Sequence, residues 1–206
     1  MGTSQYFEAQ PGVASDRVEV RLALPDLNLK LATDRGVFSH SAVDAGTRFL
    51  LQEAGVPEGD NLFDLGCGYG PIAITMARRS PHAVVWAVDV NERALALCEE
   101  NAVANGGANV RPFTVEDFPS EVRFDTIWSN PPIRIGKDAL HALLLKWLPR
   151  LTPTGVAVMV VQKHLGADSL THWLADKGYE VERLASRQGY RLLSVRPCDR
   201  SADETA

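Results

Sequence analysis

Three stretches of this 206-residue chain carry residues whose types and spacing can do chemistry. The first is Asp64-Leu65-Gly66-Cys67-Gly68-Tyr69-Gly70, which follows the apolar pair Leu62-Phe63 and precedes a helical run opening at Pro71. A strand that ends in glycines and turns into a helix can bring backbone N–H groups close to a ligand. The dinucleotide fingerprint wants a small residue at position 71, so Pro71 counts against a nicotinamide-dependent oxidoreductase. Proline does suit the first helical position, where its missing N–H would go unpaired anyway. The competing reading of the stretch is an ordinary glycine turn.

The second group lies at the ends of the next two strands. Asp89 stands about 20 residues beyond the glycines, where an acidic group can accept both ribose hydroxyls of a nucleoside. Glu116-Asp117-Phe118 follows the third strand; a carboxylate there can accept from an adenine amino group while Phe118 packs on the ring. The bland readings are a helix cap at Asp89 and solvated carboxylates at 116 and 117.

The third is Ser129-Asn130-Pro131-Pro132-Ile133-Arg134 at the end of the fourth strand. Two prolines after Asn130 hold the backbone extended and leave the carbonyls of Asn130 and Pro131 free to accept. The Asn130 side-chain oxygen beside one such rigid carbonyl makes a two-acceptor clamp for an –NH₂ group. An exocyclic or amide nitrogen is a poor nucleophile because its lone pair is delocalised. Holding both N–H bonds would pyramidalise it and aim the lone pair at an electrophilic methyl group. The catalytic contribution is then positioning and electrostatics, with no strong base required. A Pro-Pro turn closing a strand is the competing reading.

Regular elements must position these groups. Apolar strands at about 61–65, 84–89, 110–115, 124–129 and 156–161 alternate with helical stretches at about 71–80, 91–105 and 138–149. Ala83-Val84-Val85-Trp86-Ala87-Val88 is almost continuously apolar, as expected where helices cover both faces of a parallel sheet. Asn91 reads as an N-cap and Gly106 as the left-handed residue after that helix. A further helix runs from Asp168 to Lys177, stopped by Gly178. Stretches 179–185 and 189–196 are joined by three residues, too few for a parallel crossover, so the last strand should be antiparallel to its neighbour. The expected fold is α/β: a three-layer, doubly wound, seven-stranded and mostly parallel sheet.

Ahead of it, Val18, Val20, Leu22 and Leu24 alternate, then Leu27, Leu29 and Leu31, with Pro25-Asp26 between them. This predicts a β-hairpin whose loop exceeds two residues. Ser41 and Asp44 have capping-box-like spacing before a helical stretch to about Ala54. Phe38 is either a core anchor for the hairpin or a wall of the ligand pocket. The division expected is a hairpin annex over 1–40, a main domain over 41–198 and a frayed tail over 199–206.

Composition excludes some classes. Hydrophobic residues make up 45% and charged residues 23%, ordinary for a soluble globular protein. No apolar run reaches the ~20 residues of a membrane span, and the polar N-terminus has no signal-peptide pattern. Cys67, Cys98 and Cys198 are scattered and odd in number, which suggests neither disulfides nor a metal site and favours a reducing cytoplasm. A net charge of −5 argues against a broad basic nucleic-acid face, while leaving room for a local basic patch.

Asp64 to Gly70, Asp89 and Asn130-Pro131-Pro132-Ile133 together resemble the signatures of class I S-adenosylmethionine-dependent methyltransferases acting on amino nitrogens. The resemblance covers nearly the whole chain and is closest to the methyltransferase small-domain family, which includes ribosomal small-subunit RNA (guanine-N2)-methyltransferases. Asp34 to Ser39, Val43 to Thr47, Gln162 to Ala167 and Gly189-Tyr190-Arg191 support it. It implies S-adenosylmethionine as cofactor, with Asp64, Gly66, Cys67, Gly68 and Gly70 beside its methionine part and Asp89 and Val90 at the ribose. Glu116 or Asp117, with Phe118, would meet the adenine, and Asn130, Pro131 and Pro132 would hold the target amino group. The implied substrate is guanine N2 in ribosomal RNA or the small ribosomal subunit; a glutamine amide or adenine N6 would suit the same clamp. Ile133 replaces the aromatic that many amino methyltransferases carry after the prolines. The larger ribosomal enzymes have an extra RNA-recognition domain, so here contacts would come from this domain. Phe38, Ile133, Arg134 and Lys163 are the candidate substrate contacts, with Lys137, His164, Arg187 and Arg191 nearby.

Overall fold

The structure is a computed structural model and describes residues 12–198. Residues 1–11 and the expected tail over 199–206 lie outside that range.

The alternating leucines form the expected hairpin. Strands β1 (Val18–Ala23) and β2 (Asn28–Thr33) pair antiparallel, with Ala23 opposite Asn28. Four residues, Leu24 to Leu27, make the turn, and the Leu24 amide donates to the Leu27 carbonyl at 2.8 Å. Val20, Leu22, Leu29 and Leu31 are buried on one face.

Helix α1 (Ala45–Glu53) follows. Its N-cap is Asp44, whose carboxylate accepts from the Thr47 amide at 3.0 Å. Ser41 is exposed in the preceding turn, so the capping box expected there is absent. The reason is register: Asp44 acts as the cap itself and not as the third residue of the helix.

Alternating strands and helices then build the main layer: β3 (Asn61–Leu65), α2 (Pro71–Arg79), β4 (Val84–Val88), α3 (Glu92–Ala104), β5 (Val110–Phe113), β6 (Phe124–Ser129), α4 (Lys137–Trp147), β7 (Leu151–Gln162), α5 (Ala167–Asp176), β8 (Tyr179–Arg187) and β9 (Tyr190–Pro197). The seven strands lie in the order β5-β4-β3-β6-β7-β9-β8. β3 to β7 pair in parallel, and β9 runs antiparallel to both β7 and β8. The doubly wound sheet with an antiparallel last strand is therefore as expected. Strand β7 is longer than its apolar centre, and α4 ends two residues early in a 3₁₀ turn through Leu148-Pro149-Arg150. Asn91 caps α3 by accepting from Ala94, and Gly106 sits at φ 72° after its end.

Each central strand sends alternate side chains to two cores. Leu62, Val85, Ala87, Val158 and Leu192 join α1, α2, α3 and the hairpin on one face. Phe63, Phe124, Ile127, Met159 and Leu193 join α4 and α5 on the other. The hairpin is therefore continuous with the first core. It is also bonded to α3 through side chains. The Asn101 side chain accepts from the Ala32 amide at 2.7 Å and donates to its carbonyl at 2.8 Å. One turn on, Asn105 does the same to Lys30, at 3.1 and 2.9 Å. Two asparagines thus stand where a third strand would pair with β2.

The order in which strands are added reverses at β3, which is followed by β4 and β5 on one side and has β6 and β7 on the other. Ligands of open α/β sheets bind at such a switch point, outside the carboxyl ends of the strands.

Candidate active site

The glycine stretch begins where β3 ends. Gly66, Gly68 and Gly70 have φ of 79°, 54° and 94°, a region that favours residues without a Cβ. Their duties differ. A Cβ on Gly70 would lie 2.9 Å from Cys98 Sγ, so this glycine lets the loop pack on α3. A Cβ on Gly66 or Gly68 would meet nothing within 4 Å. Both residues line a cleft of about 470 Å³, so a side chain there would occupy ligand space.

Four of the loop's amides are already engaged, which narrows the sequence reading of bare N–H groups. The amides of Gly66 and Cys67 both donate to the Val88 carbonyl at 2.9 Å. Gly70 donates to Cys67, and Gly68 donates to Asp89 Oδ2 at 2.8 Å. An anionic pyrophosphate would find these donors taken, whereas a cationic ligand does not need them.

Asp64 lies behind the loop, outside the cleft lining. It is fully buried, and its Oδ2 accepts from the Ala73 amide in the first turn of α2 at 2.8 Å. Its Oδ1 has no hydrogen-bond partner among the described residues. Burial pushes the carboxyl well above its ordinary range, against the Ala73 hydrogen bond, and the nearby Asp89 charge pushes the same way. Asp89, at the end of β4, is also raised by burial although it accepts from the Gly68 and Asn91 amides. Cys67 lies in the cleft wall, and its hydrogen bond with Cys98, with burial, pushes its thiol up. Tyr69, also on the wall, has a buried hydroxyl without a hydrogen-bond partner among the described residues; burial and the Asp44 charge raise it.

Asn130 closes β6 on the opposite wall. Its Nδ2 donates to Asp44 Oδ2 at 2.9 Å and to Thr47 Oγ1 at 3.0 Å. Both N–H bonds are thereby used, leaving the side-chain oxygen as the group available to a ligand. The Pro131 carbonyl was expected to be free, but it accepts from the Ile133 amide at 2.8 Å. That bond closes an inverse γ-turn around Pro132, at φ −74° and ψ 70°, and leaves the Pro131 oxygen one lone pair.

The remaining expected residues separate into two groups. Phe38, Val90, Pro131, Pro132, Ile133 and Arg134 line the cleft with Gly66, Cys67, Gly68, Asp89 and Asn130, whereas Asp64 and Gly70, expected at the cofactor, lie behind the loop. Phe38 is 45% exposed, which resolves its two readings in favour of the wall. It is held there by the segment before it, where the Asn91 side chain donates to the Gly36 carbonyl at 2.7 Å. Beyond the third strand end the cleft is lined by Val115, not by residues 116–118. Glu116 and Asp117 are exposed, and Asp117 accepts from the Thr114 hydroxyl at 2.7 Å. Phe118 corrects the sequence reading: it is buried edge-on against Phe63, Phe124 and Trp147, with the Arg150 guanidinium 4.8 Å from its ring. A ring enclosed in this way has no face for adenine. Lys163 lies outside the cleft, beside a second concavity.

Sequence reasoning did not single out Asp44, Thr47, Gln162 and Tyr190 as site residues. Tyr190 packs where a Cβ on Gly46 would be 2.8 Å from its ring, and its hydroxyl accepts from Gln162 Nε2 at 3.0 Å. The signal available was their place in the stretches that carry the family resemblance.

The cleft suits the implied cofactor on its own chemistry. Two glycines clear space, Asp44 and Asp89 supply negative charge, and Arg134 is the single cationic side chain among the lining residues.

Comparison with known proteins agrees. Residues 28–194 match the methyltransferase small domain. A Bacillus subtilis (strain 168) protein, the uncharacterized YbxB, is 34% identical over 198 residues, covering 94% of this chain and 98% of its own. Ribosomal RNA small subunit methyltransferase C of Shewanella sp. (strain MR-4) is 31% identical over 157 residues, covering 71% of this chain but 44% of that protein. Among solved structures, the T. thermophilus 16S rRNA N2 G1207 methyltransferase, in complex with AdoMet and guanosine, superimposes with a TM-score of 0.70 at 23% identity. That match covers 91% of this chain and 52% of the other, so the chain spans about half of the ribosomal RNA enzymes it resembles. With a match that runs from β2 into β9, the chain belongs to the methyltransferase small-domain family and is an S-adenosylmethionine-dependent methyltransferase.

Proposed function

We propose that this protein methylates the exocyclic N2 amino group of a guanine in small-subunit ribosomal RNA, as naked RNA or within the subunit. The observation that carries the reading is Asn130, whose own N–H bonds are consumed by Asp44 and Thr47 and whose oxygen is left to accept. The target amino group would donate to that oxygen and to the remaining lone pair of the Pro131 carbonyl. Two such acceptors draw the nitrogen out of conjugation and orient its lone pair. S-adenosylmethionine, when bound, supplies an electrophilic methyl group on a sulfonium.

Gly66, Cys67 and Gly68 would bound the methionine part, with Asp89 and Val90 at the ribose. At the third strand end Val115, which lines the cleft where Glu116 and Asp117 do not, would lie against the adenine. Phe38 and Ile133 would pack on the target base, and Arg134 and Lys163 would meet its phosphates. Phe38 thus supplies an aromatic face that position 133 lacks. A ribosomal substrate and three cysteines without disulfides suit a reducing cytoplasm.

The test is transfer of labelled methyl from S-adenosylmethionine to undermethylated small subunits, naked ribosomal RNA and release factors, followed by nucleoside analysis. Label recovered as N2-methylguanosine is the expected result. Label confined to protein, or to N6-methyladenosine, would replace this substrate with a glutamine amide or an adenine.

A further inference from the structure

A second concavity, of about 320 Å³, adjoins the cleft, and Tyr190 lines both. It lies at the end of the β8–β9 hairpin, whose turn residues Gln188 and Gly189 have φ of 48° and 82°. The turn is secured to the end of β7, because the Lys163 amide donates to the Gly189 carbonyl at 2.8 Å. Of its eight lining residues four are cations, Lys163, Arg183, Arg187 and Arg191, and none is a carboxylate. From Arg183 to Cys198 the sequence has four arginines and no acidic residue, in a chain whose net charge is −5.

The four cations are not equivalent. Arg187 is held by Glu53 at 2.6 Å and Gln52 at 2.9 Å and sits 5.5 Å from the Phe49 ring. Arg191 is paired with Asp168. Lys163 and Arg183 form no ion pair among the described residues, so their charge is uncompensated. Ser186 and Gln188 add neutral donors. Fixed guanidinium groups, free cations and hydroxyl or amide donors suit phosphate oxygens.

We propose that this concavity binds backbone phosphates of the RNA strand beside the target nucleotide, a second contact site distinct from the methyl-transfer cleft. The inference rests on the RNA reading above. A base seated in the cleft necessarily brings its neighbouring phosphates to the rim, and Tyr190 makes this rim continuous with the basic concavity. An acidic protein segment would meet the same charges but has no such link to a base in the cleft.

The test is fluorescence anisotropy of a labelled single-stranded ribosomal RNA fragment bound to the full chain across a range of salt. Each phosphate contact of a single strand contributes about 0.7 to the slope of log K against log salt. The double variant Lys163→Ala/Arg183→Ala should lower the slope magnitude by about 1.4, and Arg183→Gln alone by about 0.7. A control of equal charge change on the distant hairpin, Arg21→Ala/Lys30→Ala, should leave it unchanged. Retained binding of S-adenosylhomocysteine establishes that the variants are folded, and the exposed Arg183→Gln carries the test if the double variant is not. Parent protein that methylates RNA while pocket and control variants share one slope would overturn this inference alone. Parent protein that neither binds nor methylates RNA would overturn the function proposed above, and acidic-peptide binding lost in the pocket variants would then assign the concavity to a protein partner.

Discussion

Asn130 is an acceptor because of what its nitrogen is doing. Removing the side chain, Asn130→Ala, should leave S-adenosylhomocysteine affinity unchanged by calorimetry and lower the transfer rate by about 10²–10³, the usual loss for one preorganised polar contact. Unchanged turnover would end the clamp mechanism. Asp44 tests the arrangement one step back. One oxygen, Oδ2, serves both the Thr47 amide and the Asn130 side chain. Asp44→Ala should therefore slow transfer and also cost about 1 kcal/mol as a lost helix cap. Asp44→Asn, which keeps a cap oxygen without the charge, should recover most of both in turnover and urea-unfolding measurements. Asp64 gives a pH prediction. Its carboxyl is raised in the folded protein, so the folded state binds more protons than the unfolded state above pH ~4, and this residue's contribution falls as pH rises toward the folded value. Asp64→Asn should gain stability relative to the parent as pH climbs through that window. A difference that is flat with pH would contradict the assignment.

At the scale of elements, the three glycines of one loop should fail differently. Gly68→Ala places a Cβ in the cleft at φ 54° and should weaken cofactor binding more than it weakens the fold. Gly70→Ala drives a Cβ against Cys98 and should cost on the order of 1–3 kcal/mol in urea unfolding. Equal loss of affinity and stability in both variants would show that the loop acts only as a turn. The elements were legible in the sequence because their signals are local. The apolar run at 83–88, Asn91 as cap and the short link before β9, expected as three residues and found as Gln188-Gly189, each report on a few adjacent residues. Ser41 misled because two polar residues at capping spacing do not say which of them begins the helix. Phe118 misled because an aromatic next to a strand end packs as readily on a core as on a ligand, and only the positions of Phe63, Phe124 and Trp147 decide between them.

At the scale of the molecule, the illegible part of the site is the part assembled from distant segments. Asp44 and Asn130 are 86 residues apart, and nothing in either stretch names the other. Tyr190 reaches the cleft because β9 is inserted beside β7, a consequence of sheet order and not of local spacing. The same long reach gives Asn101 in α3 and Asn105 at its C-cap a measurable effect on motion. The amides of Lys30 and Ala32 are closed by side chains of a helix, so their hydrogen exchange reports detachment of the hairpin from α3, not separation of two strands. Asn101 also donates to the Tyr69 carbonyl at 2.9 Å, in the glycine stretch itself. Asn101→Ala should therefore accelerate exchange at Ala32 and along residues 66–70 together, while Asn105→Ala should accelerate Lys30 and leave the glycines protected. The hairpin and the floor of the cleft would then open as one unit, and cofactor bound at one should slow exchange at the other.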